Sequence, residues 1–225
     1  MLRNERFEDI SDGRKYGLND MVKADCRDCV GCFKCCGKEM GESILLDPYD
    51  IFQITKGTGK TFESMLDKEI ALSVIDGLIL PHINAEAGER GCGFLNEEGR
   101  CSIHPFRPSV CRLFPLGRIY ENGSFSYFLQ VNECVMKNRT KVKVSKWIDI
   151  PDIEENTEFI KKWHNFTNFS RKKISEASDE KQIRNYMLYI LELFYVMEYE
   201  PERDFYEQFN ERLKNALHDR KLILR

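Results

Sequence analysis

Cys26-Arg27-Asp28-Cys29-Val30-Gly31-Cys32-Phe33-Lys34-Cys35-Cys36 is the stretch on which the reading of this chain turns. It holds five of the nine cysteines. A core has no need of that density, because cysteine packs as a small hydrophobe and its reactivity usually decides where it is placed. Thiols at every third residue converge when the backbone curls, and as thiolates they form a nest for a soft metal. Two spacings overlap. Cys26, Cys29, Cys32 and Cys36 follow the C-x2-C-x2-C-x3-C run of bacterial ferredoxins, with Gly37 in place of the usual proline. Cys29, Cys32, Cys35 and Cys36 give CxxCxxCC. Neighbouring side chains point apart on an extended backbone, so Cys35 and Cys36 can serve different ions. A disulfide knot fits poorly, since disulfide-dense chains are normally small and secreted.

The 225 residues suffice for one large domain or two small ones. A chain of this size buries about 70% of its unfolded surface, enough for an ordinary core without metal. The net charge of −3 argues against a general nucleic-acid binder, which carries a basic surplus. The opening residues Met1–Phe7 contain no apolar signal segment, and no apolar run approaches the roughly 18 residues of a membrane span. The expected compartment is the cytoplasm, where thiols stay reduced and bind metals. Nine cysteines is an odd count, so one thiol stays outside any scheme of two four-thiolate sites.

The organisation expected from the sequence is α+β. A polar lead-in (1–25) precedes a small, irregular cysteine-rich domain (26–136) of short hairpins and short helices. A basic linker (137–150) then leads to a helical C-terminal region (151–225). Ile44–Leu46 reads as a short strand, and Asp47-Pro48 as the start of a helix that stops near Gly57. Gly57-Thr-Gly-Lys-Thr61 is not a phosphate loop: it follows a helix rather than a strand, and Ile54 stands where the pattern needs glycine. It reads as a turn before a helix over 62–71 capped by Thr61. Hairpins are expected around Asp76-Gly77, around Asn96–Gly99 with Cys92 and Cys101 at its base, and around Asn122-Gly123. The prolines of His104-Pro-Phe-Arg-Pro108 predict a stiff, non-helical passage. Three helices follow residue 150, with Phe159, Ile160, Trp163, Phe166 and Phe169 on the first, and Phe205, Phe209, Leu213 and Leu217 on the third. Their aromatic stripes read as core.

In order, the CxxCxxCC run, Gly93-Phe-Leu, Gly99-Arg-Cys-Ser-Ile103, Arg107-Pro108 and Cys111-Arg112-Leu-Phe114 resemble the YkgJ-type cysteine-cluster family, described as zinc- or iron-chelating, over roughly 26–136. FliB-like flagellin lysine N-methylases contain the same domain. The resemblance implies Cys29, Cys32, Cys35, Cys36, Cys92, Cys101, Cys111 and Cys134 as metal ligands. Cys26 is additional, and His104 stands where the family often has tyrosine. Both are candidates for further ligands.

Four thiolates suit tetrahedral zinc or a 4Fe–4S cluster. The ferredoxin-like spacing and a reducing compartment favour iron–sulfur, while the separated cysteine pairs and closed loops favour zinc. Either site carries net negative charge, which Arg107 and Arg112 are placed in sequence to offset. His82, His164 and His218 show no metal-like spacing. Three functions stay open: a metal or cluster protein with a redox or metal-handling role; a protein-lysine N-methyltransferase using S-adenosylmethionine, as the resemblance suggests; or a structural zinc module that docks a protein partner. No Gly-rich strand-to-helix turn of the usual nucleotide fold supports the second. The basic residues Arg139, Lys141 and Lys143 read as a solvated face.

Overall fold

The computed structural model describes residues 6–26, 32–37, 44–86, 91–136 and 138–218. The fold is α+β: three two-stranded antiparallel sheets and short helices, with long helices at the C-terminal end. Helix α1 spans Phe7–Ile10 and strand β1 Met21–Asp25. A 3-10 turn covers Lys34–Cys36, and α2 covers Pro48–Thr58. Asp47 caps α2 by accepting from the Asp50 N–H, and the Asp50 carboxylate accepts from the Asp47 N–H in return. This reciprocal arrangement satisfies two donors that a helix start leaves open.

Gly59 ends α2 in the left-handed region, and Thr61 caps α3, Phe62–Met65, through its hydroxyl. The expected helix over 62–71 is thus a single turn. Asp67 has a φ of 59°, and Ile70 already begins β2, Ile70–Ile75. Strand β3, Leu78–Ile83, pairs with β2 through Asp76 and Gly77, both at positive φ, as a two-residue hairpin requires. On the other edge of β3 the expected strand Ile44–Leu46 is reduced to one bridge, Leu45 to His82, flanked by two backbone hydrogen bonds.

The loop 92–103 is also less regular than a hairpin. It has one bridge, Leu95 to Cys101, closed by the Asn96–Gly99 turn. The proline passage contains a 3-10 turn, His104–Phe106, because proline is tolerated at the start of a helical turn, where its missing N–H has no partner to lose. Ser109–Leu113 then forms helix α4, which carries Cys111. Strands β4, Leu116–Glu121, and β5, Ser124–Leu129, turn at Asn122-Gly123 as expected. Within 137–150, Thr140–Lys143 form β6, which pairs with β1, and Val144–Ile148 form α5.

Three C-terminal helices follow: α6, Ile153–Glu176; α7, Glu180–Leu191, continued by a π-helical turn Glu192–Val196; and α8, Phe205–His218. They share one apolar core with the rest of the chain, running from Val22 through Phe62 and Leu116 to Phe194 and Phe209. Helix α2 joins the two halves. Its Tyr49 meets Phe205 edge-on at 5.1 Å, and its Phe52 lies 5.2 Å from the same ring. Each large side chain buried there contributes about 1.5–3 kcal/mol. Among the described residues no helix is long and apolar enough to cross a membrane.

Candidate metal centre

The other face of α2 braces the segment that carries part of the cysteine site. Gly57 packs against the Phe106 ring so closely that a Cβ there would lie 2.2 Å from it. Asp50 reaches Ser109, the first residue of α4. Together these contacts fix 104–113 against α2. A backbone contact brings in the opening cysteine segment. The Cys92 N–H donates to the Cys36 carbonyl at 2.9 Å, and Gly91 lies against it at a φ of 129°. A Cβ on Gly91 would sit 2.5 Å from the Cys36 oxygen, so only glycine allows the approach.

The result is a largely apolar cavity of about 90 Å³ that six thiols line: Cys32, Cys35, Cys36, Cys92, Cys101 and Cys111. Phe94, Ile103, Phe114 and Trp147 line it too, as do His104, Arg100 and Arg107. Two distant segments of the chain, 32–36 and 92–111, therefore converge on one cavity. Among the described residues no cysteine is in a disulfide. Cys26 is buried at the end of β1, and neither it nor Cys134 lines the cavity. Cys29 lies outside the described residues.

The thiols act on one another. Burial, together with the neighbouring charges of Cys101 and Cys35, pushes Cys92 up to about 11. Burial first, then Cys92, Cys101, Cys35 and Asp50, raise Cys111 well above the ordinary thiol value. Cys35 rises through its hydrogen bond with Cys36, through burial and through the Cys36 charge. Burial also raises Cys101, but the positive charges of Arg107 and Arg100 pull it back. Without a cation these groups remain thiols at neutral pH; a soft cation would take the place of their protons. The donor set thus suits a thiophilic metal.

The arginines differ in their surroundings. Arg107 Nη1 lies 3.0 Å from each ring nitrogen of His104 and 3.2 Å from its carbonyl oxygen, and both residues line the cavity. Arg112 instead donates to the carbonyls of Asp149, at 3.1 Å, and Pro105. It ties the end of α5 to the proline turn. Among the described residues no three His, Cys, Asp or Glu side chains are spaced to hold a single metal ion. A second, larger groove of about 510 Å³ lies between α6 and α8, with Glu154, Glu155 and Glu158 at its edge and no cysteine in its lining.

Sequence reasoning missed Asp50, Gly91 and Trp147. Asp50 was visible only as a helix-start acid, and nothing in the local pattern connects it to Ser109. Trp147 donates its indole N–H to the Leu113 carbonyl and holds the far end of α4.

An α+β scaffold that gathers thiols from two distant segments around one small apolar cavity defines a cysteine-cluster, metal-chelating class of protein. More specifically, the chain belongs to the CxxCxxCC family, described as a "putative zinc- or iron-chelating domain", whose family model matches residues 28–147. No curated protein and no solved structure matches it.

Proposed function

We propose that the chain holds a 4Fe–4S cluster in the thiol cavity and serves a redox or metal-handling role. The observation that supports this reading is the space in the cavity that six thiols help to line. A water needs only about 10–15 Å³ of such volume, so about 90 Å³ leaves room for several atoms, more than a lone tetrahedral ion occupies. Cys35, Cys92, Cys101 and Cys111, which feel one another's charge, are the proposed ligands, with Cys32 and Cys36 beside them. A cluster supplies one-electron chemistry at a potential set by hydrogen bonds, burial and nearby charge. The apolar lining keeps water away, and Arg107 and Arg100 offset the thiolate charge. Zinc is the reading that the test must exclude. The test is anaerobic purification with metal and sulfide analysis. About four irons and four sulfides per chain, with broad visible absorption, are expected. Stoichiometric zinc without sulfide would overturn the proposal.

A further inference from the structure

Helix α4 has only five residues, and its N-cap is Pro108, which has no side-chain group to accept a hydrogen bond. A helix this short does not persist on its own. It nevertheless carries Cys111, the thiol most deeply embedded in the field of the others. What starts it is a carboxylate from another element. Asp50 Oδ1 accepts from the Ser109 N–H at 2.6 Å and from the Ser109 hydroxyl at 2.7 Å. Its Oδ2 accepts from the Asp47 N–H at 3.1 Å, closing the start of α2. Asp50 is 2% exposed and Ser109 3%, so these bonds form away from water, where losing one is costly. Burying a carboxylate is itself unfavourable, and burial raises the pKa of Asp50 against the pull of the Ser109 bonds. An ordinary helix start does not need a buried acid brought from a distant helix. Two residues of helical rise, about 3 Å, separate Ser109 from Cys111. A shift of Ser109 is therefore a shift of the thiol.

We infer that Asp50 is the positioning residue of the metal centre, fixing Cys111 on the cavity by holding the first turn of α4. This rests on the cavity being a thiolate metal site. It goes further in assigning a role to a residue that lies outside the cysteine pattern and contacts no metal.

The test uses the reduced, metal-free full chain and Co²⁺ as the probe, because the thiolate-to-cobalt absorption grows with the number of bound thiolates. Cys111→Ser sets the intensity for a centre lacking that ligand. Asp50→Ala is expected to fall to the Cys111→Ser intensity and to bind Co²⁺ about 10–100-fold more weakly. Asp50→Asn keeps an acceptor oxygen and is expected to recover most of both. Wild-type intensity and affinity in Asp50→Ala, even with a lowered melting temperature, would mean that Asp50 only supports the fold and would overturn the inference. So would an Asp50→Asn as impaired as Asp50→Ala, since charge rather than placement would then matter. If Asp50→Ala does not fold, Ser109→Ala, which removes one of the two donors, carries the test: reduced intensity supports the assignment and unchanged intensity overturns it. A wild-type chain that shows no cobalt band at all would instead sink the metal reading itself, so the two failures are distinguishable.

Discussion

Gly91 shows how little separates a formed site from a broken one. Its φ of 129° and the Cys36 oxygen 2.5 Å from a hypothetical Cβ leave no room for alanine. Gly91→Ala should cost about 1–3 kcal/mol and part the opening thiols from Cys92, seen as lowered metal content at unchanged helicity. Retention of full metal content would show that the two segments meet by some other route. Arg107 acts through charge. Replacing it by leucine removes a cation that lowers the pKa of Cys101 and should shift a cluster's potential or weaken metal retention. If neither changes, Arg107 has no role in the centre. Cys134 is the contrasting case: it does not line the cavity, and Cys134→Ser should keep the full Co²⁺ band that Cys111→Ser weakens.

Among the elements, α6 to α8 depend on two contacts that no stripe of aromatics announces. Arg212 on α8 is buried and donates to the carbonyls of Leu193, Met197 and Glu198 at 2.6–2.9 Å, closing the π-helical end of α7, while its guanidinium stacks 3.6 Å from the Tyr199 ring. Arg212→Met should destabilise the chain by about 1.5–3 kcal/mol in urea unfolding. Lysine should not rescue it, because an ammonium cannot span three carbonyls in a plane. The second contact is His164 on α6, stacked on Tyr120 of β4 with ring centroids 3.7 Å apart. Burial, then the Arg171 charge, hold its pKa below the ordinary value. The folded state therefore resists the proton that the unfolded chain accepts. The contact's stabilisation is complete above about pH 6.5 and is lost as pH falls through the depressed folded value. His164→Phe keeps the stack and should flatten that acid slope; an unchanged slope would assign it to other groups.

At the scale of the whole molecule, one core runs through both halves, but the thiol cavity and the aromatic helices rest on different interactions. Removing metal should leave α6 to α8 protected from hydrogen exchange and expose 32–37 and 91–113. Uniform loss of protection would mean that the metal holds the entire fold. Metal retention should also weaken steadily as pH falls, because each ligand must give up a proton to bind. With Cys92 pushed up to about 11, that dependence should continue above the ordinary thiol value of about 8.5 rather than level off there. A plateau near neutral pH would contradict it.

What the amino-acid order determined by itself is local. Asp76-Gly77 and Asn122-Gly123 make hairpins because those residues accept positive φ, and Asp47-Pro48 opens a helix because its side chain finds an N–H three residues on. The clustered thiols announced a metal-binding family by their chemistry, and the 3.6-residue stripes announced the C-terminal helices. Where the readings stopped short, at 62–71 and at 92–103, neighbouring segments ended or began an element that local preference alone would have continued; at the proline passage a turn formed because proline fits a first helical position. Only the tertiary structure decided which thiols share a cavity, that Cys26 and Cys134 stand apart from it, that β1 pairs with β6, and that Asp50 holds a helix start 59 residues away. The physical reason is range. Dihedral preference and spacing act over a few residues and are written there, whereas contacts between distant segments depend on the fit of whole surfaces, which no short pattern encodes.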